Sequence, residues 1–194
     1  MIKHSREAFS VLEVATSPPS FDDMIQIIKE DQKNISYKDT GFSKGKHGTT
    51  CFYNFNLYNE KRYRPLMIHI MQSIYDTYRE FVPNVKFEPG NAWWTVYSKG
   101  AFIPRHTHYN SMISGAYYVR HPKDAGTISF FNPIANLVNH LTCESLIWKA
   151  DTRMEVQPKT GTLLLFPSWL EHETPPNESD EDKIIVSFNL NIIN

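Results

Sequence analysis

Two periodicities divide this chain. In the first half, apolar side chains recur at helical spacing in two places. Leu66, Ile70, Ile74 and Tyr78 repeat every four positions, with Met67 and Met71 beside them, which predicts an amphipathic helix over 62–82 ended by Pro83. A shorter helix opens at Phe21, Asp22 and Asp23, with Met24, Ile25, Ile27 and Ile28 on one buried face. Before it, residues 7–15 fit a first strand, broken by the Ser-Pro-Pro-Ser of 17–20. Residues 33–50 are polar, contain glycine and fit a loop.

From about residue 92 the pattern becomes that of short strands. Segments 91–98, 114–121, 127–133, 161–168 and 183–192 are rich in β-branched and aromatic residues and bounded by Gly, Pro, Asn or Asp. Residues 132–159 interrupt them as a loop insertion with some strand content, from which a lid could be made. Residues 174–183 fit an acidic surface loop. Helices followed by many short strands predict a mainly β fold, a sandwich or barrel with flanking helices packed outside. In the last strand, Ile184, Val186, Phe188 and Leu190 form a wholly apolar face directed at the core. Lys183, Ile185, Ser187 and Asn189 form the more polar face, compatible with a cavity.

Composition narrows the classes. At 194 residues the chain fits a single domain, and 41% hydrophobic residues are enough for a real core. A net charge of −1 advertises no nucleic-acid partner, and no apolar run approaches the length of a membrane span. The charged N-terminus lacks the apolar run of a signal peptide. Two cysteines, Cys51 and Cys143, make no disulfide framework and fit reduced thiols. Together these predict a cytoplasmic protein.

Three histidines carry the candidate chemistry. His106 and His108 sit in the sequence FIPRHTHYN, and residues two apart on a strand point to the same side. His172 follows the apolar 161–168 segment, 64 residues after His108. Two ligands from one strand and a third from a distant strand end can build a facial metal site with positions left open. A chance pair of histidines is the competing explanation. His4, His47, His69, His121 and His140 lack such context and fit surface or core roles.

From Asn91 onward the chain resembles the catalytic core of prolyl-4-hydroxylase-like iron(II)/2-oxoglutarate oxygenases, and within them a bacterial and phage group. The resemblance rests on Trp93-Trp94-Thr95-Val96-Tyr97, Gly100, His106-Thr107-His108, Ser114 to Val119, Gly126 to Phe130, Gly161 to Ser168, His172 and Lys183 to Asn189, in that order. It implies a double-stranded β-helix, the cupin-like jelly-roll barrel, with 91–194 as catalytic core and 1–90 as support. It implies Fe(II) as metal and 2-oxoglutarate as co-substrate, with molecular oxygen consumed and a C–H bond of a peptide or small-molecule substrate hydroxylated. Tyr97 stands where the family reaches the co-substrate, and a core aromatic is the alternative. Lys183 stands where the family pairs a cation with the distal carboxylate, and a surface lysine beside Asp182 is the alternative. Ser187 could add a hydroxyl to the same carboxylate. Gly115 and Gly161 fit turns or tight packing, and Trp169 either walls the site or packs ordinarily.

The sequence departs from the family in one place. The usual triad is two histidines and a carboxylate, and here His108 occupies the carboxylate position. Alternatively Asp124, Glu173 or a water completes the shell. Two other functions stay open: a three-histidine cupin-type enzyme that does not use 2-oxoglutarate, and a non-catalytic jelly-roll binding module.

Overall fold

The computed structural model describes residues 1–6, 9–17, 21–34, 47–51, 55–135 and 152–193. Within them run β1 (Ile2–Arg6), β2 (Phe9–Ala15), α1 (Phe21–Gln32), β3 (His47–Thr49), α2 (Arg64–Arg79), β4 (Lys86–Tyr97), β5 (Ile103–His106) and β6 (Ile113–Arg120). There follow β7 (Ile128–Phe131), β8 (Arg153–Val156), β9 (Thr162–Pro167), β10 (His172–Thr174) and β11 (Lys183–Ile193). No helix among the described residues is long and apolar enough to cross a membrane.

Both helices form where apolar spacing predicts them. α2 is shorter than its periodic stretch. Single-turn 3-10 helices precede it, and the N–H groups of Phe81 and Val82 both donate to the Tyr78 carbonyl, closing it before Pro83 is reached. Two strands escaped the pattern. β1 pairs with β2, and β3, in a stretch expected to be loop, pairs with β4 through His47↔Tyr97 to Thr49↔Thr95. Both are sheet-edge strands, where cross-strand bonds can hold a segment that lacks apolar alternation. Most of the insertion expected over 132–159 lies outside the described residues, apart from β8 at its end.

The strands form two antiparallel sheets, one in the order β1-β2-β9-β6-β11-β4-β3 and the other β5-β10-β7-β8. This is the expected double-stranded β-helix, realised as two facing sheets rather than a closed barrel. The larger sheet is covered on both sides. Ile184, Val186, Phe188 and Leu190 of β11 join Trp94, Val96 and Tyr117 in a core shared with Met24 and Ile28 of α1 and Leu66, Ile70 and Ile74 of α2. The alternate residues Tyr97, Ala116, Tyr118, Leu164, Phe166 and Ile185 face the smaller sheet and meet Ile128, Phe130, Met154 and Val156. This explains why the central strands are apolar almost throughout: both of their faces are buried.

Gly115 shows how tightly the helix-side layer is filled. It lies opposite Phe188 in the β6–β11 pairing, and a Cβ added there would run into the Phe188 ring. Gly161 instead serves a turn, at φ +86°. Gly115→Ala should destabilise the fold by about 1–3 kcal/mol in urea unfolding. Adding Phe188→Leu to it should recover part of that loss, whereas strictly additive effects would mean that the two residues do not share space.

Candidate functional site

The two sheets do not pack together over their whole area. Between them lies a cavity of about 570 Å³. Its floor is the inner face of the larger sheet, because Trp93, Thr95 and Tyr97 of β4 and Ile185, Ser187 and Asn189 of β11 all line it. Across from them stand the three histidines.

His106 ends β5 and His172 begins β10, and the two are direct partners in the antiparallel pairing. His108 lies two residues beyond the strand rather than on it, and its backbone N–H donates to the Ser168 carbonyl at 2.9 Å. That bond to the turn after β9 holds His108 toward the pair. Ring centroids are 4.3 Å apart for His106–His172, 5.2 Å for His106–His108 and 5.1 Å for His108–His172. One nitrogen from each ring lies within 4.8 Å of the others.

Backbone carbonyls orient two of the rings. His106 Nδ1 lies 2.8 Å from the Pro104 oxygen and His172 Nδ1 2.8 Å from the Leu170 oxygen. A carbonyl only accepts, so each Nδ1 carries the proton and each Nε2 keeps its lone pair for a metal. His108 Nε2 and His172 Nε2 are 3.3 Å apart. Two nitrogens each ~2.1 Å from one ion and about 90–110° apart would be separated by roughly 3.0–3.4 Å. The donor set therefore fits a divalent metal of imidazole preference.

Burial keeps the rings neutral. It lowers the pKa of His106, pulls His108 down to about 4, and holds His172 well below the ordinary imidazole range. Charge on neighbouring histidines adds to the effect at His108 and His172. Trp93 packs against His108 at 5.6 Å and Phe166 against His172 at 4.7 Å, the aromatic walls behind that desolvation.

The carboxylates considered as alternative ligands are elsewhere. Asp124 sits in a turn at φ +64° and lines a separate surface depression, and Glu173 is not part of the cavity wall. Among the described residues no carboxylate joins the histidine cluster. Trp169 is 53% exposed and does not line the cavity, so the expectation that it walls the site fails.

Tyr97 and Ser187 line the cavity; Lys183 does not, but it lies directly cross-strand from Tyr97. It is 1% exposed, not the surface lysine that its acidic neighbours imply. Its ammonium lies 5.0 Å from the centre of the Tyr97 ring and donates to the Ala125 carbonyl at 2.7 Å. Asp182, just before β11, accepts from Ser98 and pairs with Lys29 instead. Among the described residues Lys183 has no carboxylate partner. Burial lowers its pKa to about 8, which leaves it mostly protonated at neutral pH. The loop before it is less superficial than its acidity implies: Asn177 is buried and donates to the carbonyls of Tyr97 and Glu181. Asn189 lines the cavity, as the polar face of the last strand predicts, and Trp93 and Phe166 join it, Trp93 by alternation from Tyr97.

Comparison with known proteins agrees with this geometry. Among curated proteins nothing matches the chain. Among solved structures, a Pseudomonas putida prolyl-4-hydroxylase is similar at 14% identity and a TM-score of 0.58, covering 93% of this chain and 91% of its own. HygX from Streptomyces hygroscopicus, with nickel and 2-oxoglutarate bound, is similar at 13% identity and 0.58, covering 93% and 82%. The α-ketoglutarate-dependent epimerase SnoN of nogalamycin biosynthesis is similar at 11% and 0.63, covering 93% and 76%. Identities this low establish the fold alone. A family model described as "Putative 2OG-Fe(II) oxygenase" matches residues 91–189, just over half of the sequence, and the chain belongs to that family of iron(II)- and 2-oxoglutarate-dependent oxygenases.

Proposed function

We propose that this oxygenase holds iron(II) on His106, His108 and His172, binds 2-oxoglutarate between that metal and Lys183, and hydroxylates a C–H bond of a peptide or small molecule. Residues 91–194 supply the catalytic core in this reading, and residues 1–90 support it by covering the sheet's outer face. The observation that carries the proposal is a buried ammonium without a carboxylate partner, on the same sheet face as a cavity into which three neutral imidazoles converge. An isolated buried cation is costly unless an anion meets it. One ammonium proton is held by Ala125, which leaves two for a carboxylate.

When bound, iron(II) and 2-oxoglutarate would together supply the activation of oxygen. The chain's own work is placement. The Pro104 and Leu170 carbonyls fix the tautomers of His106 and His172. Trp93 and Phe166 exclude water from the imidazoles. Tyr97 and Ser187 offer hydroxyl groups to the carboxylate end of the keto acid, and burial keeps the Tyr97 phenol protonated and able to donate. The hydroxylation outcome draws on the prolyl-4-hydroxylase likeness. The same fold also carries an epimerase, so the fold alone does not choose the reaction.

Three outcomes test this reading. Manganese or nickel should bind at about one ion per chain, and His172→Ala should abolish binding. Protons compete with metal only below the pKa of the free imidazoles, and burial has moved that of His108 down to about 4. Burial lowers all three imidazoles, so calorimetric affinity should persist through the ordinary imidazole range and fall only at more acidic pH; a fall near pH 6 would mark ordinary, exposed imidazoles.

His108→Asp should tighten metal binding, because an anion replaces a neutral donor. It should also weaken 2-oxoglutarate binding, because that anion then faces a dianion. Unchanged affinities for both would place His108 outside the metal shell.

Lys183→Ala should raise the dissociation constant of 2-oxoglutarate, titrated into manganese-loaded protein under nitrogen, by about 10- to 100-fold, or ~1.5–3 kcal/mol. Metal affinity should stay intact, and Lys183→Arg should keep part of the binding. Equal affinities of parent and Lys183→Ala would remove Lys183 from the site. No binding to either protein would favour a three-histidine enzyme that does without the keto acid.

A further inference from the structure

We propose that Asn91 and Asn189 are the specificity-determining residues for the primary substrate, and that the group they take is an uncharged carbonyl such as that of an amide. The inference rests on the assignment of metal and keto acid to the histidine and Lys183 ends of the same cavity. Both asparagines line that cavity. Asn189 follows Ser187 by two residues on β11, and Asn91 precedes Trp93 by two on β4, so both lie on the cavity face. Asn91 is six residues from Tyr97, roughly 20 Å along an extended strand. Trp93, which packs on His108, lies between them. The keto-acid end and the asparagine end are thus on opposite sides of the histidines.

The orientation of the two amides is set from behind. Ser114 Oγ lies 2.7 Å from Asn189 Oδ1, and Asn189 Nδ2 lies 2.8 Å from Asn91 Oδ1. Ser114 Oγ is also 2.8 Å from Ser168 Oγ, which accepts from Ser111 at 2.9 Å. A hydroxyl has one proton. The Asn189 oxygen only accepts, so its bond takes the Ser114 proton, and Asn189 in turn gives an N–H to the Asn91 oxygen. Ser114, Ser168 and Asn189 are all buried, so water does not replace these bonds.

The consequence lies at the cavity wall. The Asn91 oxygen is occupied by Asn189, so Asn91 turns its N–H groups outward and Asn189 keeps one more. Among the described residues no Asp, Glu, Lys or Arg lines the cavity. A wall that offers N–H donors with neither a cation nor an anion matches a neutral acceptor. At the asparagine end a charged group would lose its hydration with no side chain of opposite charge beside it. Ser168 also accepts the N–H of His108, so the chain that sets the amides shares a residue with the one that positions a histidine.

The test uses manganese-loaded protein saturated with 2-oxoglutarate under nitrogen. The probes are N-acetylalanine N-methylamide, which is neutral, N-acetylalanine, an anion, and alanine N-methylamide, a cation. Broadening of the alanine methyl proton resonance by manganese reads how closely each approaches the metal. The neutral probe should be broadened most. Asn91→Leu and Asn189→Leu should each reduce that broadening by about 3- to 10-fold with 2-oxoglutarate affinity unchanged. Asn91→Asp, at an exposed position that folding tolerates, should shift the preference to the cationic probe, which a mere loss of packing would not do. Equal broadening of the neutral probe in parent and variants, or a charged probe preferred by the parent, would overturn the inference while manganese binding leaves the metal assignment standing. A protein that fails to bind manganese would overturn both.

Discussion

Strand β11 runs between β6 and β4 in the larger sheet, and water reaches neither of its faces over most of its length. One face, from Ile184 to Leu190, is apolar and meets the helices. Each such side chain contributes about 1.5–3 kcal/mol when fully buried, so these four alone supply on the order of 10 kcal/mol. That layer fixes the register of β11 against both neighbours, and a slip of one residue would exchange its faces. The opposite face can therefore carry groups that a single-layered sheet would expel. Lys183, Ser187 and Asn189 are held in place by the apolar residues between them.

The smaller sheet supplies the other half of the site in the same way. Pairing of β5 with β10 sets His106 opposite His172, and the turn after β9 brings in His108. None of the three rings depends on a neighbouring carboxylate for its orientation. Backbone carbonyls hold two of them, and the third is placed by its own backbone N–H. A site of neutral imidazoles leaves a bound divalent ion with its full positive charge. That charge favours an anionic co-substrate more than a site with a carboxylate ligand would. In the proposed reading Lys183 would act in the same direction from the other end of the keto acid.

Much of this was legible along the chain. Helical spacing located both helices, alternation located the central strands, and the two faces of the last strand separated as their residue types require. The histidine pair and His172 stood out because ligand chemistry restricts residue type. Family resemblance contributed the metal, the keto acid and the proposed roles of Tyr97 and Lys183, which spacing alone could not assign, and alternation along the last strand added Ser187. The edge strands β1 and β3 were not legible, since cross-strand hydrogen bonds hold them and leave little trace in composition. Trp169 stayed open along the chain, because a large aromatic next to a ligand carries no sign of the side to which its turn directs it.

Local sequence determined the elements, because a period of two or of 3.6 is a property of neighbouring residues. It also determined that three histidines were available. Only the tertiary structure decided that they meet, since His108 and His172 are joined through a turn contributed by β9 and through pairing between strands far apart in sequence. Burial of Lys183 was decided in the same way. Its acidic neighbours kept a surface position open as the alternative, but desolvation depends on the whole fold around a group, and here Tyr97 and Ala125 stand against a fully buried ammonium.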